Sequence, residues 1–413
     1  MSKRAVITGI GLLTPLGVGR EKSWSELVQG KSGIRRFTQF DPSRVRTQFG
    51  GEVPGFDPLL SLDKPTARRT DRYTQLAVAA ADEAVADAGL TVDAARASRV
   101  GVLLGVALGG LASLEHHHSL LLDKGPDKMN PFMVPMMLAN TAPGMLSIRY
   151  GARGPSLTIT SACASGAHAI GEGLELIRRG GADAVIAGGV EAVLTELCVS
   201  GFCAMRALST RNDQPERASR PFALGRDGFV ISEGAGIVVL EELEHARARK
   251  AHMYAEVAGY GASADAHHIT APHPDGEGVV LAIERALASA GVAPHEVDHV
   301  NAHATSTPMG DEGEARAIHR VFGDHTAKVL VTAPKSMIGH TLGAAGGIET
   351  AFLALSLARS LIPPTINLDE PDPACALNLV TGTAREGQLN VAVKNSFGFG
   401  GTNASLVLRR APA

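Results

Sequence analysis

Short runs of Val, Ile, Leu and Ala alternate along this chain with longer stretches in which apolar residues return every three or four positions. Val100-Gly101-Val102-Leu103-Leu104 predicts a buried strand, as do Ala184–Ala187, Val297–Val300 and Val329–Val331. Leu76–Ala88 predicts an amphipathic helix with Glu83 and Asp87 turned to solvent. Strands alternating with helices in this way predict an α/β layered architecture. The early apolar run Ala5–Ile10 has the look of a signal peptide, but Gly9, Gly11 and Pro15 interrupt it and no cleavage site follows. It predicts a buried strand that enters a Gly-rich loop. The longest uncharged stretch, Met129 to Ile148, is broken by Pro131, Pro135 and Pro143, so it predicts no membrane helix.

Composition sharpens this picture in two ways. Among 413 residues there are 47 glycines, only 4% aromatics and 20% charged residues against 45% hydrophobic, which excludes a disordered chain and favours elements packed at short distances. A net charge of −3 offers no global attraction for nucleic acid. The cysteines (Cys163, Cys198, Cys203, Cys375) are too few for a disulfide scaffold and form no C-x-x-C zinc pair; reduced cysteines fit a cytosol.

Candidate chemistry gathers where strands meet helices. After Thr158-Ile159-Thr160-Ser161-Ala162 comes Cys163, and then Ala167, Ile170, Leu174 and Ile177 trace one helical face that Arg178-Arg179-Gly180 brings to an end. Cys163 thus falls at a helix N-terminus, a position that favours a thiolate; the alternative is an inert core cysteine. Asn301-Ala302-His303 delivers a histidine to a loop, with Asp311 and Glu314 spaced as a capping box for the next helix. Lys335-Ser336-Met337-Ile338-Gly339-His340 leads into a helix whose first turns hold Gly343, Ala344, Ala345, Gly346 and Gly347, a composition that makes sense where another helix presses against it. The unit carrying Cys163 (157–180) resembles the one carrying His340 (329–360) at an offset of 340 − 163 = 177 residues, which predicts two related halves; chance likeness of Gly/Ala-rich helices is the other reading. Asn395-Ser396-Phe397-Gly398-Phe399-Gly400-Gly401-Thr402-Asn403 reads either as a hairpin turn or as a backbone N–H presented to a developing oxyanion. His116-His117-His118 is read as part of a surface helix and not as a metal site.

Taken together, these stretches resemble the β-ketoacyl-ACP synthases of the thiolase-like superfamily, the class II enzymes in particular, over residues 4–409. Ser209-Thr210-Arg211-Asn212-Asp213, Ser219-Arg220-Pro221-Phe222 and Arg226-Asp227-Gly228-Phe229 share the likeness. The resemblance implies an α/β thiolase-like fold of two similar halves in five layers, α-β-α-β-α, with an N-terminal half over residues 1–250 and a C-terminal half over 251–413. It implies decarboxylative condensation of acyl-ACP with malonyl-ACP without a cofactor or catalytic metal. Cys163 matches the nucleophile, His303 and His340 the histidines that hold the malonyl thioester, and Phe399 an oxyanion amide. Lys335 matches an orienting lysine set against Glu349, whose other reading is a purely structural ion pair. Thiolases carry a second cysteine near the C-terminal turn, priming synthases an asparagine where His340 stands, and chain-length factors lack the cysteine; this chain has none of those features.

Further matches are Thr305, Thr307, His268 and Thr270 along a pantetheine path, and Leu108, Phe202, Phe399 and Gly400 at the acyl tunnel or its gate. The Met-rich stretch Phe132–Met137 matches a segment by which a partner subunit lines the tunnel, or is ordinary interface core. Lys64, Arg68, Arg69, Lys128 and Arg206 match carrier-docking positions, with Lys64, Arg68 and Arg72 spaced along one helical face. Two departures stand out: Asp127 where a basic residue is common, and Ala304 where glycine usually follows the catalytic histidine. The implied setting is a cytoplasmic homodimer that works on acyl carrier protein, without nucleic acid or membrane insertion. The alternatives are the ketosynthase of a type II polyketide or polyene system paired with a chain-length factor, and a non-catalytic assembly partner. The resemblance also allows a bound cation near Asn301 and Asn395.

Overall fold

The computed structural model describes residues 3–412. Ten of the eleven strands of the main sheet run along its length, the eleventh being the short Gly17–Val18 paired to the end of the first: β1 (Ala5–Thr14), β2 (Val100–Gly105), β3 (Ser156–Ile159), β4 (Ala184–Glu191), β5 (Gly234–Glu242), β6 (Ala255–Ala264), β7 (His299–Asn301), β8 (Leu330–Thr332), β9 (Val391–Gly398) and β10 (Thr402–Arg410). Their order, β3-β2-β4-β5-β1-β6-β10-β9-β7-β8, reads the same from both ends, with the two halves joined by antiparallel pairing of Ala5–Ile7 with 255–257. Within each half the same pairs are parallel and the same pairs antiparallel. Strands β7 and β8 begin one or two residues later than their apolar runs, because Val297 and Val329 are buried ahead of the paired segments.

Five helices complete the layers: α1 (Arg72–Ala88), α2 (Ser165–Arg178), α3 (Glu277–Ala290), α4 (Pro308–Phe322) and α5 (Ala345–Arg359). Helix α1 covers β1 and β5 from outside, α3 covers β6 and β10 with α4 alongside it, and α2 and α5 lie between, each touching strands of both halves. Small residues set the spacing. A side chain at Gly9 or Gly11 would strike the backbone of Ala84 or Ala80, and one at Gly259 or Gly261 that of Ala286 or Ala282, so both outer helices seat on matching G-x-G strands. Among the described residues no helix is long and apolar enough to cross a membrane.

Glu83 and Asp87 do not face solvent. Between Ile7 and Leu13, β1 has no strand on its second edge, and Glu83 accepts from the amides of Leu12 and Arg20 while Asp87 accepts from Ile10. Satisfying buried amides outweighs the hydration of two partly buried carboxylates. The basic face is broken as well. Asp71 caps α1 by accepting from Tyr73, so Arg72 starts a new helix instead of continuing the turn Lys64–Ala67. Arg72 pairs with the buried Glu233. In the helix Leu111–Lys124, His116 and His118 face outward, but His117 is buried, its Nδ1 2.7 Å from the carbonyl of Ser113.

Candidate active site

Helices α2 and α5 meet at their N-terminal ends, where Gly166 and Ala167 face Gly346 and Gly347. A β-carbon on Gly346 would lie 2.2 Å from the nitrogen of Ala167, and one on Gly166 would lie 2.7 Å from that of Gly347. The two helix starts match: turns 162–164 and 342–344 lead into them, each opening on a left-handed residue, Ala162 (φ 49°) and Leu342 (φ 48°). Structural equivalence therefore runs at 342 − 162 = 180 residues, not 177, and it pairs Cys163 with Gly343. The halves are related as expected, but Cys163 and His340 are not counterparts. A non-glycine residue held at positive φ carries about 1–3 kcal/mol of strain, kept here by the close crossing beneath it.

The strained turn aims Cys163 into a cavity of about 620 Å³ that His303, His340, Phe229, Phe397 and Phe399 also line. The imidazoles of His303 and His340 stand perpendicular, ring centres 5.4 Å apart. Phe397 packs against His303 and Phe229 against His340, each at about the same distance. The backbone of His340 is clamped by Val230 and Ser232, its N–H donating to the Val230 carbonyl at 2.7 Å. The amides of His303 and Ala304 donate to Glu314, which also accepts from the Asn395 side chain. Asp311 accepts from Ser306 and Phe222. The expected capping box is therefore absent: α4 starts at Pro308, and both carboxylates reach back from inside it to hold the histidine loop. Ala304 sits at φ 24° and Ser306 at φ 71°, so the position usually given to glycine is strained here.

Burial governs the protonation states. Both imidazoles are held well below the ordinary histidine range by desolvation, reinforced by the charges of Lys335 and Lys394. Both nitrogens of His340 and Nδ1 of His303 are buried without a protein partner, a state that invites a ligand. The Cys163 thiol is pushed up to about 12 by burial, which outweighs the lowering effects of Lys335 and of the N–H groups of Phe399 and Cys163 itself. The helix terminus alone thus does not give the resting thiolate that its position suggests. Alkylation of Cys163 by iodoacetamide is expected to rise about tenfold per pH unit from pH 7 to pH 10. Intact mass at fixed times checks this, and a plateau below pH 9 would contradict it.

Lys335 and Glu349 are both buried, with Nζ 2.5 Å from Oε1. The other oxygen of Glu349 meets Lys394, 2.8 Å away, a residue that sequence reasoning passed over as the end of a strand. Lys394 also donates to the Asn395 carbonyl and to Ser396 Oγ. The Asn395 carbonyl, Ser396 Oγ and Glu349 are taken by this ammonium, and the buried oxygen left without a partner, Asn301 Oδ1, is too little to hold a metal ion, so the site does not fit one.

Thr305 and Thr307, their hydroxyls 3.0 Å apart, line the cavity together with Thr270, Leu108 and Phe202. His268 does not line it; its Nδ1 turns back to accept from the amides of Thr270 and Ala271 and shapes the loop. Gly400 is also off the lining: at φ 82° its N–H donates to Ile269, tying the Gly-rich turn to that loop. His273, Asp265 and Met309 line the cavity without any sequence signal having marked them. Arg206 borders the cavity, while Lys64, Arg68, Arg69 and Lys128 are exposed, Arg69 lying over the Phe132 ring at 4.7 Å.

The chain belongs to the β-ketoacyl synthase family, whose N-terminal domain matches residues 2–246 and whose C-terminal domain matches 254–369. Among its relatives are proteins named 3-oxoacyl-[acyl-carrier-protein] synthase 2. That of Coxiella burnetii is 49% identical over 99% of both chains, and that of Staphylococcus aureus 47% identical over 99% of both. Solved structures agree. A β-ketoacyl synthase from Burkholderia phymatum superposes with a TM-score of 0.92 at 36% identity over 99% of this chain and all of the other. A type II polyketide ketosynthase bound to its acyl-carrier protein gives 0.92 at 34% identity over the whole of both chains.

Proposed function

We propose that this protein elongates acyl chains, condensing acyl-ACP with malonyl-ACP to give 3-oxoacyl-ACP, carbon dioxide and free carrier. The observation that carries this reading is the single cavity in which a buried thiol meets two neutral, unpartnered imidazoles. Cys163 Sγ attacks the acyl thioester carbonyl. The carbon–sulfur bond to the carrier breaks, and the thiol proton leaves with the departing sulfur. The amides of Cys163 and Phe399 hold the intermediate oxyanion. The malonyl thioester then accepts from His303 and His340, each neutral ring having one N–H to donate to its carbonyl oxygen. Its C–C bond breaks, carbon dioxide leaves, and the electron pair stays as an enolate that attacks the acyl carbonyl and releases the Cys163 sulfur.

Thr305, Thr307 and Thr270 line the path of the pantetheine arm, and Arg206, Lys64, Arg68, Arg69 and Lys128 offer cations to an acidic carrier. The protein works in the cytoplasm as a homodimer. The outer edge of β3 is unpaired at the end of the sheet, and the nearby Leu157 and Ile148 are 54% and 79% exposed, a face suited to a second copy. Fatty acid elongation is favoured over a polyketide pathway by the higher identity to the synthase 2 relatives (47–49%) than to the type II polyketide ketosynthase (34%) or to the ishigamide ketosynthase solved with its chain length factor (36%).

The test is incubation with acyl carriers of graded length plus malonyl carrier, followed by product mass. His340→Ala is expected to keep acylation of Cys163 while losing malonyl decarboxylation by at least about 10²-fold. Retained condensation in that variant would remove His340 from the mechanism.

A further inference from the structure

Lys394 has no part in the scheme above and does not line the cavity, yet its side chain is wholly buried in the sheet. It lies on β9 in register with Asn301 of β7, two residues before His303, and three residues before Phe397, whose ring packs on His303. Its ammonium meets Glu349, the Asn395 carbonyl and Ser396 Oγ. Glu349 is at the same time the partner of Lys335, so one buried carboxylate answers two buried ammonium groups. Glu314, on α4, is the other carboxyl that Lys394 feels, and its oxygens are committed to the amides of His303, Ala304 and Asn395. Such an arrangement is a poor device for stability. Two cations lose their hydration for one anion, and an apolar residue would continue the run Val391-Ala392-Val393 at lower cost.

We propose that Lys394 is a positioning residue for the enolate-forming step: with Lys335, across Glu349, it keeps a positive charge facing His303 and His340 and so favours the negative charge that builds on the thioester oxygen they hold. This inference rests on the condensing reading above. The electrostatics agree, since the charges of both lysines bear on both imidazoles and oppose their protonation. Burial and the neighbouring Lys335 also bring Lys394 itself down to about 8, against the pull of Glu349 and Glu314.

The experiment compares the full-length wild type with Lys394→Gln, which keeps N–H donors without charge, and Lys394→Met, which keeps neither. Acylation of Cys163 is read by intact mass and decarboxylation of malonyl carrier by release of carbon dioxide, each from pH 5 to pH 9. For Lys394→Gln the expectation is acylation within about threefold of wild type, decarboxylation at pH 7 reduced at least about tenfold, and an acidic limb moved to higher pH, because imidazoles relieved of a nearby cation protonate more readily. Wild-type decarboxylation with an unmoved limb would overturn the proposal. So would a parallel loss of both half-reactions with an unmoved limb, which marks a purely structural lysine, or failure of both variants to fold by thermal unfolding. A wild type that does not decarboxylate malonyl carrier would instead refute the condensing reading itself.

Discussion

Replacing Cys163 by Ser is expected to abolish condensation, with a loss of at least about 10³-fold, and to leave no acyl adduct when the protein is incubated with acyl carrier and weighed intact. The serine hydroxyl is nearly the size of the thiol and fits the strained turn at Ala162, so the variant should fold as the wild type does. What it lacks is nucleophilicity. No hydrogen bond joins Cys163 to His340, both of whose ring nitrogens are without a protein partner, and both imidazoles are held neutral chiefly by burial. A serine there has no means of becoming an alkoxide. Malonyl decarboxylation, which needs the histidines and not the sulfur, should persist. Condensation within tenfold of wild type, with the acyl adduct on a residue other than 163, would show that the nucleophile has been misassigned.

The largest expected effect on stability is at Gly346. Valine there would place its β-carbon 2.2 Å from the nitrogen of Ala167 and 2.8 Å from the carbonyl carbon of Gly166, both main-chain atoms that no rotamer change can move. The two middle helices would have to separate, and the turns that present Cys163 and His340 would separate with them. The expected destabilisation exceeds about 4 kcal/mol, seen as insoluble protein or a collapsed thermal transition. Valine at Gly313, on the outer helix α4, where an added β-carbon meets nothing within 4 Å, should stay within about 1 kcal/mol of wild type apart from helix propensity. Equal behaviour of the two variants would mean that the helix crossing does not govern the fold.

Much of this arrangement was legible in the residues, and the gaps have physical causes. The apolar runs at Val100 and Ala184 mark central strands buried on both faces, where composition alone suffices. Cys163, His303 and His340 each follow an apolar strand, and the structure brings all three to one cavity. Carboxylates misled most. Glu83, Asp87, Asp311 and Glu314 occupy positions suited to solvent or to caps, and each instead answers backbone amides of another segment, a demand that appears only once the chain is folded. Lys394 escaped notice for the same reason, since a lysine at the end of an apolar run reads as a hydrated terminus. The repeat was visible but misaligned. Aligning the reactive side chains gave 177, whereas Gly9-x-Gly11 with Ala80, Ala84 and Ala88, set beside Gly259-x-Gly261 with Ala282, Ala286 and Ala290, marks the duplicated strand–helix unit directly. The basic spacing from Lys64 to Arg72 failed because periodicity cannot register a helix that stops and restarts at Asp71.

The crossing of the two middle helices also constrains how this sequence can change over time. When a bulky core residue is altered, a neighbour can shrink to make room, and such paired changes let interiors drift. At residues 166, 167, 346 and 347 that route is all but closed, because three of the four are glycine, than which no amino acid is smaller, and the fourth is alanine, with a single methyl group to give up. Diversification must therefore be pushed outward to the rim of the cavity, around Leu108, Thr270 and Met309. There a new side chain can alter which substrates are accepted without disturbing the seam on which the chemistry is mounted.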